Sequence, residues 1–386
     1  MFPIFWRALC AHAWLRRLSA ALLLTSAGNG LSHIVLYAEL LHRQAPPATL
    51  VLGFVLSSAP GWLGSLLGER LLRHTDCRQV LMLGELAGLA GLGLLGQGLS
   101  HTGTLWLQLG TASTALGGGL ALPALTYYSK AWLARHELPA AALLDTLAFA
   151  CHVLLGVALG VLLHPPLGSA TLLLLDAASF IGAMLLLATL PPLPRAAGHQ
   201  AIQPLPATLN SRQRRALATL PALAAVGAPA MALLLALLPA GQQQAAMVLP
   251  LLLARSLGQL CGPLLVRRRQ LARANRGLML SCLAGFSACY LAIGWQPWPA
   301  LALPLVFSAH LLSNVVFSLG WHGLLVAFDA GQTAAASARS YRAQVLVAAA
   351  TSLLAGWLAG YIGATQALLA CSLGGWLLAA WLTRQA

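Results

Sequence analysis

Charge is what this sequence has least of. Only 8% of its 386 residues are Asp, Glu, Lys or Arg, against roughly 25% in a soluble globular domain. Carboxylates are scarcest. There are eight, and none lies between positions 177 and 328. No stretch is both long and polar enough to form a soluble domain. The seven cysteines are odd in number, contain no C-x-x-C pair and mostly sit in apolar runs. They read as small core hydrophobes, which argues against a disulfide frame or a cysteine metal centre. The sequence also has no G-x-x-x-x-G-K-[ST] phosphate loop, no H-E-x-x-H and no G-x-S-x-G. Those gaps argue against ATP binding by that loop and against hydrolase chemistry. No cofactor and no metal are expected.

What the chain does have is apolar length. Hydrophobic residues make up 59% of it and mean hydropathy is +0.79. Runs of about 20 residues, enough to cross a ~30 Å hydrocarbon layer, recur from end to end. Twelve membrane helices are expected, near 17–41, 48–70, 78–99, 104–130, 140–163, 168–190, 214–239, 244–266, 277–294, 300–327, 342–362 and 365–383. Internal glycine and proline do not break these assignments, since membrane helices tolerate both.

The net charge of +14 does not imply nucleic acid once the charges are placed. Of the 22 basic residues, only Arg43 falls in a loop on one side of the expected helices, and Arg255 falls inside a span. The others lie at the N-terminus, in alternate loops and at the C-terminus. Such asymmetry puts both termini in the cytoplasm. Arg16 and Arg17 precede the first span without an A-x-A cleavage pattern, so they read as its anchor. The expected setting is a bacterial inner membrane, with the lipid bilayer as a partner and the chain a monomer.

The longest linker, "PPLPRAAGHQAIQPLPATLNSRQRR" at 191–215, splits the chain. Residues 1–190 and 214–386 are expected as N-terminal and C-terminal six-helix bundles, joined by a cytoplasmic segment over 191–213. The halves look related. Gly64-x-x-x-Gly68 closes the second helix and Gly258-x-x-x-Gly262 the eighth. "LMLGELAG" (81–88) and "LMLSCLAG" (278–285) open the third and ninth, with six of eight positions identical. Parallel six-helix repeats around a midplane site are a transporter architecture.

Three local patterns then carry a family resemblance. "SAGNGLSHIVL" (26–36) resembles S-x-x-G-D-x-L of a first helix. "SSAPGWLGSLLGERLLR" (57–73) is similar to a second helix running into G-x-L-A-D-R. "LLLLDAASFIGAMLLL" (172–187) is similar to a sixth helix with (N/D)-x-x-S-F. Together they resemble the major facilitator superfamily over the whole chain, and within it the branch of enterobactin-type siderophore exporters and macrolide efflux pumps. The resemblance implies an all-α membrane protein of twelve helices in two pseudo-symmetric bundles. It also implies proton-coupled export of a small organic molecule by alternating access. Import of a small anionic metabolite and a non-transporting scaffold remain alternatives. The chain departs from the pattern at Asn29, where the family carries an acid, at Ser65 and Glu69 in the loop motif, and at the fifth helix. There G-P-x-x-G-G survives only as Gly156 and Gly160.

The stretch "ERLLRHTDCRQ" is expected as a turn between helices two and three. Glu69 can face the start of helix eleven, near Arg339 and Arg342, with Arg70, Arg73, Asp76 and Arg78 completing a cytoplasmic gate. The other reading is a solvated positive-inside loop. Ionisable groups inside spans are functional candidates by default. Arg255 either holds a substrate anion or forms a structural ion pair. Asp145 and His152, seven apart, share a helical face, although Asp145 could simply end a helix. Asp176 is deeper, but lies in the packing motif. His33, one turn beyond Asn29, could carry a proton in place of the missing acid or be a hydrogen-bonded structural histidine. His310 and Asn314, four apart, are expected to line a cavity. No nucleophile–base pair suggests an enzyme.

Overall fold

The computed structural model describes residues 1–45, 47–193, 202–237, 242–266, 270–271, 276–295 and 298–384. Among them the regular structure is helical throughout. A short amphipathic helix, α1 (Phe2–Ala11), was not anticipated from the sequence. It buries Ile4, Phe5 and Ala8 and leaves Trp6 exposed. Six crossings follow as α2 (Ala13–His42), α3 with α4 (Pro47–Leu56, Pro60–Leu71), α5 (Cys77–Ser100), α6 (Leu105–Trp132), and the continuous run of α7 (Pro139–Cys151), a π-helical turn (His152–Val157) and α8 (Ala158–Ala188). The second half holds α9 (Ser211–Leu233), α10 (Gln242–Leu265), α11 (Arg276–Trp295), α12 (Pro299–Ala327), α13 (Ala330–Ile362) and α14 (Ala364–Arg384).

Eight helical runs among the described residues are long and apolar enough to cross a membrane. One of them, Pro139–Ala188, makes two crossings. Gly168 turns it back with φ 73° and ψ 168°, a region that favours glycine because it lacks a Cβ. The remaining crossings are α3 with α4, interrupted at 57–59, the glycine-rich α6, and α10. Twelve crossings in two bundles of six result. The expected arginines at 195, 267–269 and 273 lie outside the described residues.

Each bundle is built on the same close seam. Within α4, a Cβ at Gly64 would meet the Leu116 carbonyl of α6, and one at Gly68 the Leu120 carbonyl. In the second half, a Cβ at Gly258 of α10 would meet the Phe307 carbonyl of α12. One at Gly262 would lie 2.8 Å from the Leu311 carbonyl. Lipid supplies no hydrophobic drive between helices, so association rests on such small-residue approaches and the packing they permit. Contacts between bundles obey the same symmetry. Helix α13 packs on α4 and α6 of the first bundle, while α7 packs on α10 and α12 of the second.

The bundles meet at the face that carries the termini. One continuous apolar core joins them there, from Phe5 and Trp14 to Leu324, Ala334 and Ala379, and extends through the second bundle to Ile293, Ala302 and Ala367 at its far end. At the opposite face a separate cluster, including Leu36, Leu40, Leu95 and Leu107, belongs to the first bundle alone. The sequence reading started helix eleven at 342. The structure starts α13 at Ala330, because "AGQTAAASARSY" is polar by composition yet made of side chains small enough to bury. Gly331, Thr333 to Ala338 and Ser340 are all buried.

Candidate functional site

The gate region forms a smaller latch than the sequence suggests. Glu69, near the end of α4, accepts a hydrogen bond from Arg342 Nη1 at 3.0 Å, an ion pair joining the two bundles. Arg73 approaches the other Glu69 oxygen at 3.5 Å from one turn along. Asp76 does not join them. It caps α5 by accepting from the Arg78 amide, and pairs with the Arg78 side chain at 3.4 Å. Arg78 in turn donates to the Leu190 carbonyl at 3.0 Å, so this pair ties the first bundle to itself. Arg70 and Arg339 are exposed. One further tie crosses at this face, where Lys130 Nζ donates to the Leu325 carbonyl. The linker is fixed to α13 there as well, the Gln203 amide donating to the Gly331 carbonyl at 2.9 Å. No hydrogen bond or ion pair joins the bundles at the opposite face among the described residues.

Between the bundles lies a cavity of 300 Å³, at the lower end of the range for small-molecule sites. Four residues singled out from the sequence reach it: Asp145 from α7, Arg255 from α10, and His310 and Asn314 from α12. Arg255 is the sole basic residue of its wall. Its guanidinium lies 5.1 Å from the Phe149 ring centroid, a cation–π contact. No carboxylate stands within salt-bridge distance among the described residues, and Nε is buried without a hydrogen-bond partner. Asp145 lines the same space without pairing to it. Asn314 Oδ1 accepts from Thr146 Oγ1 at 3.3 Å, a polar tie across the bundle interface. His310 Nε2 shares a hydrogen bond of 2.8 Å with Tyr290 Oη, which leaves Nδ1 unpaired.

The other four candidates do not reach the cavity. They sit inside the first bundle, where α2 packs on the π-helical turn and α8. The rings of His33 and His152 stand 5.7 Å apart, His33 lies 4.9 Å from Tyr37, and His152 Nδ1 is 3.3 Å from the Ser26 carbonyl. The backbones here are nearly in contact. A Cβ at Gly30 would meet the His152 carbonyl, and one at Gly156 the Ala27 carbonyl. Asn29 Oδ1 is buried and unpaired. Asp176 is fully buried, accepts from Ser179 Oγ at 3.1 Å and keeps Oδ2 without a partner.

Sequence reasoning missed Glu85. Its side chain is buried on α5, Oε2 has no partner, and it lies within electrostatic reach of Asp176. A signal existed. Glu85 is the only charged residue of "LMLGELAG", and the second copy of that segment has Cys282 in its place. Gln259 and Gln344, polar residues inside spans that also line the cavity, were missed as well.

No protein-family model matches the chain. Over 65 residues it is 42% identical to an uncharacterised 29.9 kDa protein in the crtE 3' region of Pseudescherichia vulneris, a stretch covering 17% of this chain and 24% of that relative. The solved structures say more. A bacterial homologue of the iron transporter ferroportin in its outward-facing state superposes with a TM-score of 0.72 at 18% identity, covering 97% of this chain and 99% of that one. The major facilitator superfamily transporter FucP, in its outward conformation, gives 0.71 at 14% identity over 96% and 97%. This chain has the major facilitator fold. The human organic anion transporter MFSD10 also matches, with a TM-score of 0.70 at 15% identity over 95% of this chain and 99% of that one. All three likenesses extend over both six-helix bundles.

Proposed function

We propose that this major facilitator chain is a secondary transporter that moves a small organic anion across a bacterial inner membrane by alternating access, outward from the cytoplasm and against a proton flow. The observation that carries the reading is Arg255, a cation on the wall of the inter-bundle cavity with no carboxylate within salt-bridge distance among the described residues and with Nε unpaired. Keeping a charge in a span costs roughly 2.5–3.5 kcal/mol on insertion scales. A ligand carboxylate or phosphate would offset that cost only while bound. A small carboxylate-bearing metal chelator of the siderophore type fits this chemistry. Asn314, Gln259 and Gln344 would orient its neutral polar groups, and no enzymatic step is required.

In this reading residues 1–190 and 214–386 move as two bodies about the linker, with the termini and the Glu69–Arg342 latch on the cytoplasmic side. The latch and Lys130 would hold that side shut, and their release would open it inward. Protons would travel through the first bundle, where Glu85 and Asp176 are buried together and His33 and His152 form a second titratable pair. The geometry favours the carboxylates as carriers, since each keeps an unpaired oxygen. Replacing Glu85 and Asp176 by Gln and Asn should leave substrate binding intact and abolish substrate-driven pH change in proteoliposomes. If the pH change persists, these two residues do not carry the proton.

Comparative mass spectrometry of cells and spent medium, with and without the gene, tests the whole reading. The substrate should accumulate inside deletion cells and be restored to the medium by the wild-type chain, but not by Arg255→Ala. Depletion inside and accumulation outside would make the chain an importer of the same class of anion. No difference in any small anion would refute transport of this kind.

A further inference from the structure

A second polar site lies away from the central cavity, on the face that carries the termini. Two cavities open there, of 410 Å³ and 360 Å³. Both are walled by Arg212, Leu271, His322 and Val326, so they form one continuous basin. Arg215 and Arg276 complete its wall on the second bundle. Arg135, His136 and Ile4 complete it on the first. Lys130 and Arg135 lie within electrostatic reach of His322, as does Arg212. Cations therefore converge from both halves of the molecule.

Little in the protein balances them. Asp329 lies within electrostatic reach of Lys130, but no ion pair joins them among the described residues. Glu137 is already engaged by His12 at 3.1 Å and by the Ala134 amide at 3.1 Å. The Arg215 Nε is buried and has no hydrogen-bond partner. Arg276 is fixed with its fork in place, donating to the Ala380 carbonyl at 2.8 Å and lying 3.3 Å from Thr383 Oγ1. Arg135, His136 and Arg212 are exposed at the rim of the basin, while Arg215 and Arg276 are half-buried in its wall, with the Arg215 Nε desolvated. The helix starts of α7, α9 and α11 adjoin the same space. Helix N-termini add partial positive charge and unpaired amides.

From this arrangement we infer that the basin is a phosphate-binding site which, when filled, clamps the two bundles together in the form described here. Its ligand chemistry is a phosphate group, from either an anionic lipid headgroup or a soluble phosphate ester. Guanidinium forks match phosphate oxygens in pairs, and basic pockets between membrane helices suit such headgroups. The wall is shared between bundles, so the site is complete only while this face is closed. By linkage, an anion that binds the closed form alone stabilises it. The site is separate from the Arg255 cavity and would stand if the proposed substrate were wrong.

The test is thermal unfolding of the purified full chain in neutral detergent, titrated in one arm with phosphatidylglycerol and in the other with pyrophosphate at constant ionic strength. The wild-type chain should gain thermal stability in at least one arm. Lipid alone acting identifies a headgroup, pyrophosphate alone a soluble ester, and both the shared phosphate group. The Arg212→Gln, Arg215→Gln double variant should need about tenfold more ligand for the same gain. Should that variant not fold, Arg135→Gln with His136→Gln, on the exposed loop of the other bundle, should weaken the same titration. Arg384→Gln, exposed on the same face and outside both cavities, should titrate as wild type. Absence of stabilisation in both arms, or basin variants that titrate like wild type, would overturn the inference.

Discussion

The two bundles share a scaffold and differ in charge. Gly64 and Gly68 seat α4 on α6 as Gly258 and Gly262 seat α10 on α12, each against backbone carbonyls. The electrostatics do not repeat. Seven of the eight carboxylates belong to the first half, and Asp329 is the only one in the second. The first half buries Glu85 and Asp176, while the second sets Arg255, half-buried, on the cavity wall. Packing that sets the shape of a bundle tolerates no departure, so it is the part the halves retain in common. Buried charge is costly wherever it sits, and here each half holds one sign. The division suits a machine in which one half handles protons and the other an anion.

Removing the cation from the second half should give the largest effect. An ion-assisted hydrogen bond contributes about 1.5–3 kcal/mol, so Arg255→Met should lower transport by roughly 10–100-fold. Arg255→Lys should retain part of it. Thermal stability of the Met variant should be unchanged or higher, because an unpaired charge inside a span is gone. Normal transport by Arg255→Met would break the comparison at its most important point. The shared scaffold is tested next. Gly64→Ala and Gly258→Ala should each cost about 1–3 kcal/mol, as overpacking does, and the two losses should agree. A large loss at one glycine beside tolerance at the other would show that the seams only look alike.

Much of this was legible in one dimension. Length and hydropathy place the twelve crossings, because a ~30 Å slab demands them. The two small-x-x-x-small pairs mark the seams, since only glycine permits that approach. Glu69 and Arg342 read as charged residues at neighbouring helix ends; the structure pairs them, but with Arg342 well inside α13 and not at its start. Arg255, His310 and Asn314 are conspicuous as polar residues within apolar runs, and the structure brings them to one cavity. Other features depend on three-dimensional register. Asp145 and His152 share a helical face on paper, yet His152 opens the π-helical turn and faces Ser26 while Asp145 lines the cavity. Glu85 meets Asp176 only because α5 packs on α8, a pairing that no local pattern encodes. The buried start of α13 reads as a loop because alanine, serine and threonine carry little hydropathy, although their size is what lets two bundles touch.

The join between the halves gives smaller effects. Glu69 and Arg342 are 14% and 17% exposed, so solvent screens their pairing and its net worth is about 1 kcal/mol. Glu69→Gln should then shift the equilibrium between closed and open forms of this face about fivefold. Spin-label distances between α4 and α13 would read that shift. Arg342→Gln should reproduce it, and the double variant should add nothing, because either change removes the same bond.

Arg73 should matter least, and its small effect separates two pictures of the latch. If the whole charged turn acted as a network, losing Arg73 would loosen the face as much as losing Arg342. The geometry argues otherwise. Arg73 is 42% exposed, lies 3.5 Å from Glu69 and comes from the turn that directly follows the same helix. An exposed pair of this kind is worth about 0.3–0.5 kcal/mol, and it opposes no separation of the bundles because both partners travel together. Arg73→Ala should therefore leave the spin-label distances where they are, within about a twofold change in population. A shift as large as that of Glu69→Gln would mean that the turn works as one unit and that the contact between halves extends beyond a single ion pair.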